Sequence, residues 1–404
     1  MNGTKINVGF IGAGSIAGTH AAAIAEVEGA RLVAITDALP ERAAALAQEY
    51  GAAAVRDVEA LVRFPGLDVV YILTPPAVHG EQIAAAAAAG LPIVCEKPLT
   101  VTLAEADEAI AAARAAGVPL MTALSHRYHP LAAIVRAMVQ SGELGDFVAA
   151  WSHRLVNLPV EPDSWMNDLR AGGGLALQYA MHDLDWALTL GGAVAGVSAV
   201  QSQTNPELAI ADNLWALLRF AGGGSASIGT SWSAAQPHVE RGVVGSRGNV
   251  RIVEQKRLVG ALHNGRTIEQ DLGDDYDWFD VFVRESRDVV DRVRRAEPFA
   301  VTGEDGRRAL EISLAVLQAA QTERPVALPL APERDMEDTL DELEDRFRVE
   351  VPGHEVRGRL LPGGVAHDGA GDAEVVGLAD ADRGEPGPGQ PVAHRAGLAG
   401  AAGA

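Results

Sequence analysis

The chain has 404 residues, 48% hydrophobic and 22% charged, an ordinary globular balance with length enough for two cored domains. Its formal charge of −21 argues against a nucleic-acid binder, which needs a basic face for phosphates. One cysteine, Cys95, excludes an intramolecular disulfide framework and a multi-thiolate metal site, and no apolar run reaches membrane-spanning length.

The first residues lead straight into a strand pattern with no charged and apolar leader, so no secretory signal and a cytoplasmic location are expected. Strands are predicted at 5–11, 31–37, 69–73, 91–95 and 120–124. Helices are predicted between them at 16–27, 40–50, 78–89 and 103–116. Pro40 suits a first helical turn, and Gly90 and Gly117 suit helix ends. Apolar strands alternating with helices imply an α/β, doubly wound parallel sheet covered on both faces, assigned to residues 1–124.

From 125 to 330 the grammar changes. A helix at 130–140 precedes a strand at 147–156, and a triple glycine at 172–174 opens a helical stretch to Leu190. Strands at 194–202, 214–220, 226–232 and 239–244, with glycine-rich turns at 221–224 and 245–248, imply an α+β domain with a mostly antiparallel sheet. Helices at 276–296 and 303–321 close it. Residues 331–404 are acidic and then rich in glycine and proline. From 351 on, 13 glycines, five prolines and no aromatic residue occur, so this tail is expected to be disordered.

Gly12-Ala13-Gly14-Ser15-Ile16-Ala17 has G-x-G-x-x-A spacing between a strand and a helix. Gly12 permits the tight turn, Gly14 lets the backbone approach a pyrophosphate, and Ala17 lets helix and strand pack closely. Ser15 and Ile16 open the helix whose N–H groups face the phosphates. Asp37 ends the next strand, where a carboxylate accepts from a ribose 2′-hydroxyl and repels a 2′-phosphate. Ala38 follows it rather than arginine, which favours NAD, although Arg42 keeps NADP open.

Further motifs follow: Thr74-Pro75-Pro76-Ala77-Val78-His79, Cys95-Glu96-Lys97-Pro98-Leu99, His126-Arg127-Tyr128-His129-Pro130, and Gly172–Gly174 with His182 and Asp185. Over residues 5–330 the chain resembles the glucose–fructose oxidoreductase / inositol dehydrogenase (Gfo/Idh/MocA) family. The resemblance implies a Rossmann domain, NAD or NADP, a sugar, inositol or related polyhydroxy substrate, and a homo-oligomer, dimer or tetramer. It places Thr74, Pro75, His79, Glu96 and Lys97 near the cofactor's ribose and nicotinamide. It also marks a departure, since the family commonly has aspartate where Gln178 stands and glycine where Ala180 stands.

Oxidising a secondary alcohol requires a group that takes the hydroxyl proton. Lysine is scarce here: only Lys5, Lys97 and Lys256 occur among 33 basic residues. Lys97 follows a strand end, where open α/β sheets bind ligands, and a neighbouring positive nicotinamide disfavours its charged form. Gln178, His182 and Asp185 stand at i, i+4 and i+7, one face of a helix. Gln178 is expected to orient substrate, His182 to bond the reacting oxygen or relay its proton, and Asp185 to be a structural partner. Tyr128, His153, Arg154, Asn157, Trp165 and Asp168 are weaker candidates for a sugar pocket. No metal is assigned to the histidines, which lack tight ligand spacing. Two other readings compete: a redox-neutral NAD-dependent lyase or hydrolase, and a non-catalytic nucleotide-binding regulator.

Overall fold

The computed structural model describes residues 5–158, 160 and 164–330, without the side chains of Trp165, Arg170 and Ala171. The tail expected to be disordered, 331–404, lies outside them. The first sheet is built from β1 (Ile6–Ile11), β2 (Ala30–Thr36), β3 (Ala53–Ala54), β4 (Val69–Ile72), β5 (Ile93–Glu96) and β6 (Leu120–Ala123). Helices α1 (Ser15–Ala25), α2 (Pro40–Tyr50), α3 (Val58–Val62), α4 (His79–Ala88) and α5 (Leu103–Ala116) connect them. The pairs are all parallel, in the order β3-β2-β1-β4-β5-β6. This is the Rossmann arrangement, and its ligand crevice lies beyond the C-terminal ends of β1 and β4, where strand order reverses. All four residues of β4, β5 and β6 are buried, as helices on both faces require.

The second part begins with α6 (Pro130–Gln140), β7 (Phe147–Asn157), α7 (Leu169–Gly172), a π-helical turn (Ala176–Ala180) and α8 (Met181–Gly191). Strands β8 (Val194–Ser202), β9 (Asn213–Phe220), β10 (Ser225–Ser231), β11 (Ser233–Gly245), β12 (Gly248–Val253), β13 (Arg257–Leu262) and β14 (Thr267–Asp271) follow. Then come α9 (Asp280–Arg295), α10 (Gly303–Thr322) and β15 (Val326–Ala327). The nine-stranded order is β14-β13-β12-β11-β7-β10-β9-β8-β15, antiparallel except for the β7–β10 pair. Burial alternates along β9, so one face is covered and the other open. Helices α8 and α10 lie on this sheet; α10 also touches β6 and α5, and α9 packs on α1. The two sheets are thus tied together by helices from the far end of the described chain.

Several elements escape the sequence pattern. Asp57 caps α3 by accepting from the Ala60 N–H at 2.7 Å, but five residues are too short for helical periodicity. The β12–β13 hairpin turns through Glu254 (φ 50°) and Gln255 (φ 59°), without the glycine or asparagine that normally signals such backbone. A tertiary contact holds it, His129 Nε2 donating to the Gln255 carbonyl at 2.9 Å. Strand β11 extends six residues before the predicted start, with irregular register between Ser233 and His238 around Pro237.

Arg127 is the main ionic clasp. Its guanidinium grips Asp185 at 2.8 and 2.6 Å and reaches Asp305 at 3.1 Å, joining α8 and α10 to the segment before α6. Asp185, 2% exposed, is therefore a structural partner. Arg127→Met should leave that carboxylate buried without its fork and cost about 3 kcal/mol, read as a lower urea midpoint at constant slope.

Candidate active site

Gly12 carries φ +107°, and a Cβ there would meet the Leu73 carbonyl oxygen at 2.6 Å, so only glycine lets the loop cross the end of β4. At Gly14 the reverse holds: a Cβ would meet nothing within 4 Å. The protein's own packing therefore does not demand that glycine, but close approach of a ligand would. No side chain caps α1 and its first turn holds no acid, an N-terminus suited to an anion. Ser15 is exposed and Ile16 half-buried at this mouth, while Ala17 is fully buried against the sheet. Asp37 Oδ2 accepts from the Ala13 N–H at 2.7 Å and Oδ1 from the Leu39 N–H at 2.8 Å. Its first task is to shape the loop, and each oxygen keeps a further lone pair for a ribose hydroxyl.

The next motif divides. Thr74 and Pro75 lie at the surface side of the crevice, Thr74 Oγ1 donating to Gln82 Oε1 at 2.6 Å. His79 is wholly buried, with Nδ1 3.0 Å from the Pro98 carbonyl and Nε2 2.8 Å from the Thr74 carbonyl. His79 thus ties the Thr74 and Pro98 loops together. Burial, opposed by those carbonyls, lowers its pKa.

Glu96 closes β5 and is 7% exposed. Its Oε1 accepts from His20 Nε2 and its Oε2 from the Lys97 backbone N–H, both at 2.9 Å. Each oxygen serves the protein with one bond and keeps a further lone pair, as in Asp37. Burial raises the carboxyl's pKa, but the His20 bond and the charges of His20 and Lys97 outweigh it, and the net shift is downward.

Lys97 Nζ donates to the Gln178 carbonyl at 2.5 Å. Burial lowers the amine's pKa, nearby Arg154 lowers it further, and Glu96 works against both. The expected helical face of Gln178, His182 and Asp185 needs correction. Gln178 lies in the π-helical turn, where the spacing is no longer 3.6, and presents its backbone oxygen to Lys97. Its side-chain Nε2 donates to the Met166 carbonyl at 2.7 Å. Gln178 Oε1 and His182 Nδ1 are both buried without a partner. His182 stacks on His126, ring centroids 4.0 Å apart and planes 8° from parallel. Burial first, then nearby cations, pushes both imidazoles well below their ordinary pKa, so both are neutral.

Sequence reasoning missed the charged floor beneath this group. Asp183, fully buried, accepts from Ser152 Oγ at 2.6 Å and Arg154 Nε at 3.0 Å, with Arg241 3.7 Å away. Arg154 also lies over the Tyr179 ring and donates to that residue's carbonyl. An acid amid the apolar residues of 177–190 was the available signal for Asp183; nothing local marked Arg241 or His20. Among the weaker candidates whose side chains are described, only Arg154 joins the group. Tyr128 bonds Asp288 at 2.9 Å, and His153 lies on the opposite sheet face, edge-on to Trp215. Asn157 and Asp168 are exposed, and the Trp165 side chain lies outside the described residues. Among the described residues, no three His, Cys, Asp or Glu side chains are grouped to hold a metal ion, and no helix is long and apolar enough to cross a membrane.

Comparison with known proteins gives concordant matches. Residues 6–124 match the NAD-binding Rossmann model of the Gfo/Idh/MocA oxidoreductases and residues 133–251 that family's C-terminal domain. A 1,5-anhydro-D-fructose reductase of Ensifer adhaerens is 32% identical over 325 residues, 78% of this chain and 96% of that protein. A myo-inositol 2-dehydrogenase of Thermotoga maritima is 28% identical over 337 residues, 80% of this chain and 98% of that protein. A levoglucosan dehydrogenase solved with NADH and levoglucosan shares the fold with a TM-score of 0.75 at 24% identity, covering 81% of this chain and all of that one.

Gly12→Ala should weaken NADH binding by about tenfold or more by displacing the loop, measured by fluorescence titration.

Proposed function

The chain belongs to the Gfo/Idh/MocA family of NAD-binding oxidoreductases, and we propose that it moves hydride between NAD and a secondary alcohol or ketone of an inositol, sugar or related polyol. One observation carries this reading. At the end of β5, Lys97 Nζ bonds the Gln178 carbonyl and its charge acts on His182, while Gln178 Oε1 and His182 Nδ1 are buried polar atoms with no partner. Such atoms are costly unless a ligand's hydroxyls complete them.

We assign nucleotide binding to residues 1–124 and substrate binding and assembly to 125–330. Gly12, Gly14, Ser15 and Ile16 would cradle the pyrophosphate and Asp37 the ribose. The open space at Gly14 and the uncapped start of α1 fit such a group. When bound, the nicotinamide supplies hydride acceptance. Lys97, as the neutral amine, takes the hydroxyl proton while the carbon gives up hydride. His182, held neutral, bonds the reacting oxygen. Gln178 offers Oε1 to a neighbouring hydroxyl while Met166 fixes its amide. The reading places the protein in the cytoplasm, with its freely exchanging NAD(H).

A panel of inositols, aldoses, sugar acids and keto forms, followed by NADH absorbance, tests the reaction. Absorbance change is expected with at least one member; bound NAD(H) without net change would point to the redox-neutral alternative. Lys97→Met should lower kcat by about 10³-fold while NADH affinity stays within about threefold. In the oxidation direction kcat/KM should rise with pH and level off at the Lys97 pKa, below the ordinary lysine value of about 10.4, because only the neutral amine accepts the proton.

The open face of the nine-stranded sheet supports a homo-oligomer. Val200 and Leu217 are each 62% exposed and Trp215 44%, an apolar group on neighbouring strands β8 and β9. Leu217→Glu should shift the protein to a smaller assembly in light scattering, with NADH affinity retained.

A further inference from the structure

His20 belongs to neither the fingerprint nor the substrate group. It lies on α1, one turn beyond Ile16, and is fully buried. Its Nε2 donates to Glu96 Oε1 at 2.9 Å, and its ring is held edge-on by Tyr71 at 5.5 Å and Phe282 at 5.4 Å. Glu96 in turn receives the Lys97 backbone N–H on its other oxygen. The bonded path from α1 therefore runs through His20 and Glu96 to the backbone of Lys97, and the Glu96 charge acts on that residue's amine. We propose that His20 is a positioning residue for the proton transfer, clamping the Glu96 carboxylate against Lys97 so that this charge sets when the amine can accept a proton. The inference rests on Lys97 as the proton acceptor.

The surroundings make Glu96 the relevant charge. From α9, Glu285 is buried with both oxygens unpartnered, and burial together with the Glu96 and Asp288 charges keeps it protonated. From β4 and β5, Tyr71 and Cys95 are likewise held neutral, by burial first. On the far side, Arg154 from β7 and His182 from α8 face Lys97; Arg154 disfavours its ammonium and the imidazole is neutral. The Glu96 carboxylate opposes these effects. A buried carboxylate released from its clamp protonates more readily, and Lys97 then loses the anion that favours its charged form. Loss of His20 should thus move the Lys97 titration downward.

The scarcity of lysine makes this directly measurable. Full-length protein labelled with [13C]lysine carries Lys5, Lys97 and Lys256 alone, and Lys97→Met assigns the Lys97 signal. His20→Phe, which suits the aromatic surroundings, should lower the Lys97 midpoint in the cofactor-free protein by about one pH unit. Glu96→Gln should lower it similarly, and the double variant should add nothing further. His20→Gln, whose amide reaches the place of Nε2, should restore most of the wild-type value. An unchanged midpoint in His20→Phe, or a shift in Glu96→Gln that no His20 variant reproduces, would overturn the clamp. The low-pH limb of kcat/KM should follow the Lys97 midpoint. A midpoint that moves without the limb would leave the clamp standing and remove Lys97 as the proton acceptor.

Discussion

The site depends on a hydrogen bond that crosses between the two halves of the molecule, from Lys97 Nζ to the carbonyl of Gln178. One partner ends a strand of the parallel sheet and the other lies in the turn that leads into α8. The donor sits where burial disfavours its charge, so its protonation is sensitive to every neighbouring group. An amine so placed gives up its proton more readily than an exposed surface lysine does.

This sensitivity explains the distribution of charge around it. Glu96 stands on one side and Arg154 on the other, while Asp183 holds Arg154 and Ser152 beneath. The histidines nearest the amine are neutral and stacked, so they contribute hydrogen-bonding capacity without adding positive charge. Buried ions of this kind are tolerable because each has a partner at bonding distance. The polar atoms left over, Gln178 Oε1 and His182 Nδ1, are those that a hydroxylated ligand would complete.

Helices from the end of the described chain hold this arrangement. Helix α9 packs on α1 and brings Phe282 against His20, whereas α10 touches β6 and α5 on one side and α8 and β8 on the other. Arg127 ties α8 and the start of α10 to one guanidinium. The position of the π-helical turn relative to Lys97 thus depends on packing contributed more than a hundred residues later.

Local patterns were enough to establish the parallel sheet, the glycine loop, Asp37 at the end of one strand and Lys97 at the end of a later one, because each is written in consecutive residues. Strand runs, helix stops and G-x-G-x-x-A spacing are all short-range consequences of backbone sterics and two-sided burial. What tertiary structure alone decided is which atoms meet. A regular helix would align the Gln178 and His182 side chains, but the π-helical turn presents a backbone oxygen to Lys97. The bonds of His79 to two loop carbonyls, the bond from His20 to Glu96, and the sharing of Asp183 by Arg154 and Ser152 follow the same rule. Each joins residues from different segments of the chain, and a buried polar group takes whichever partner the packed backbone brings within about 3 Å.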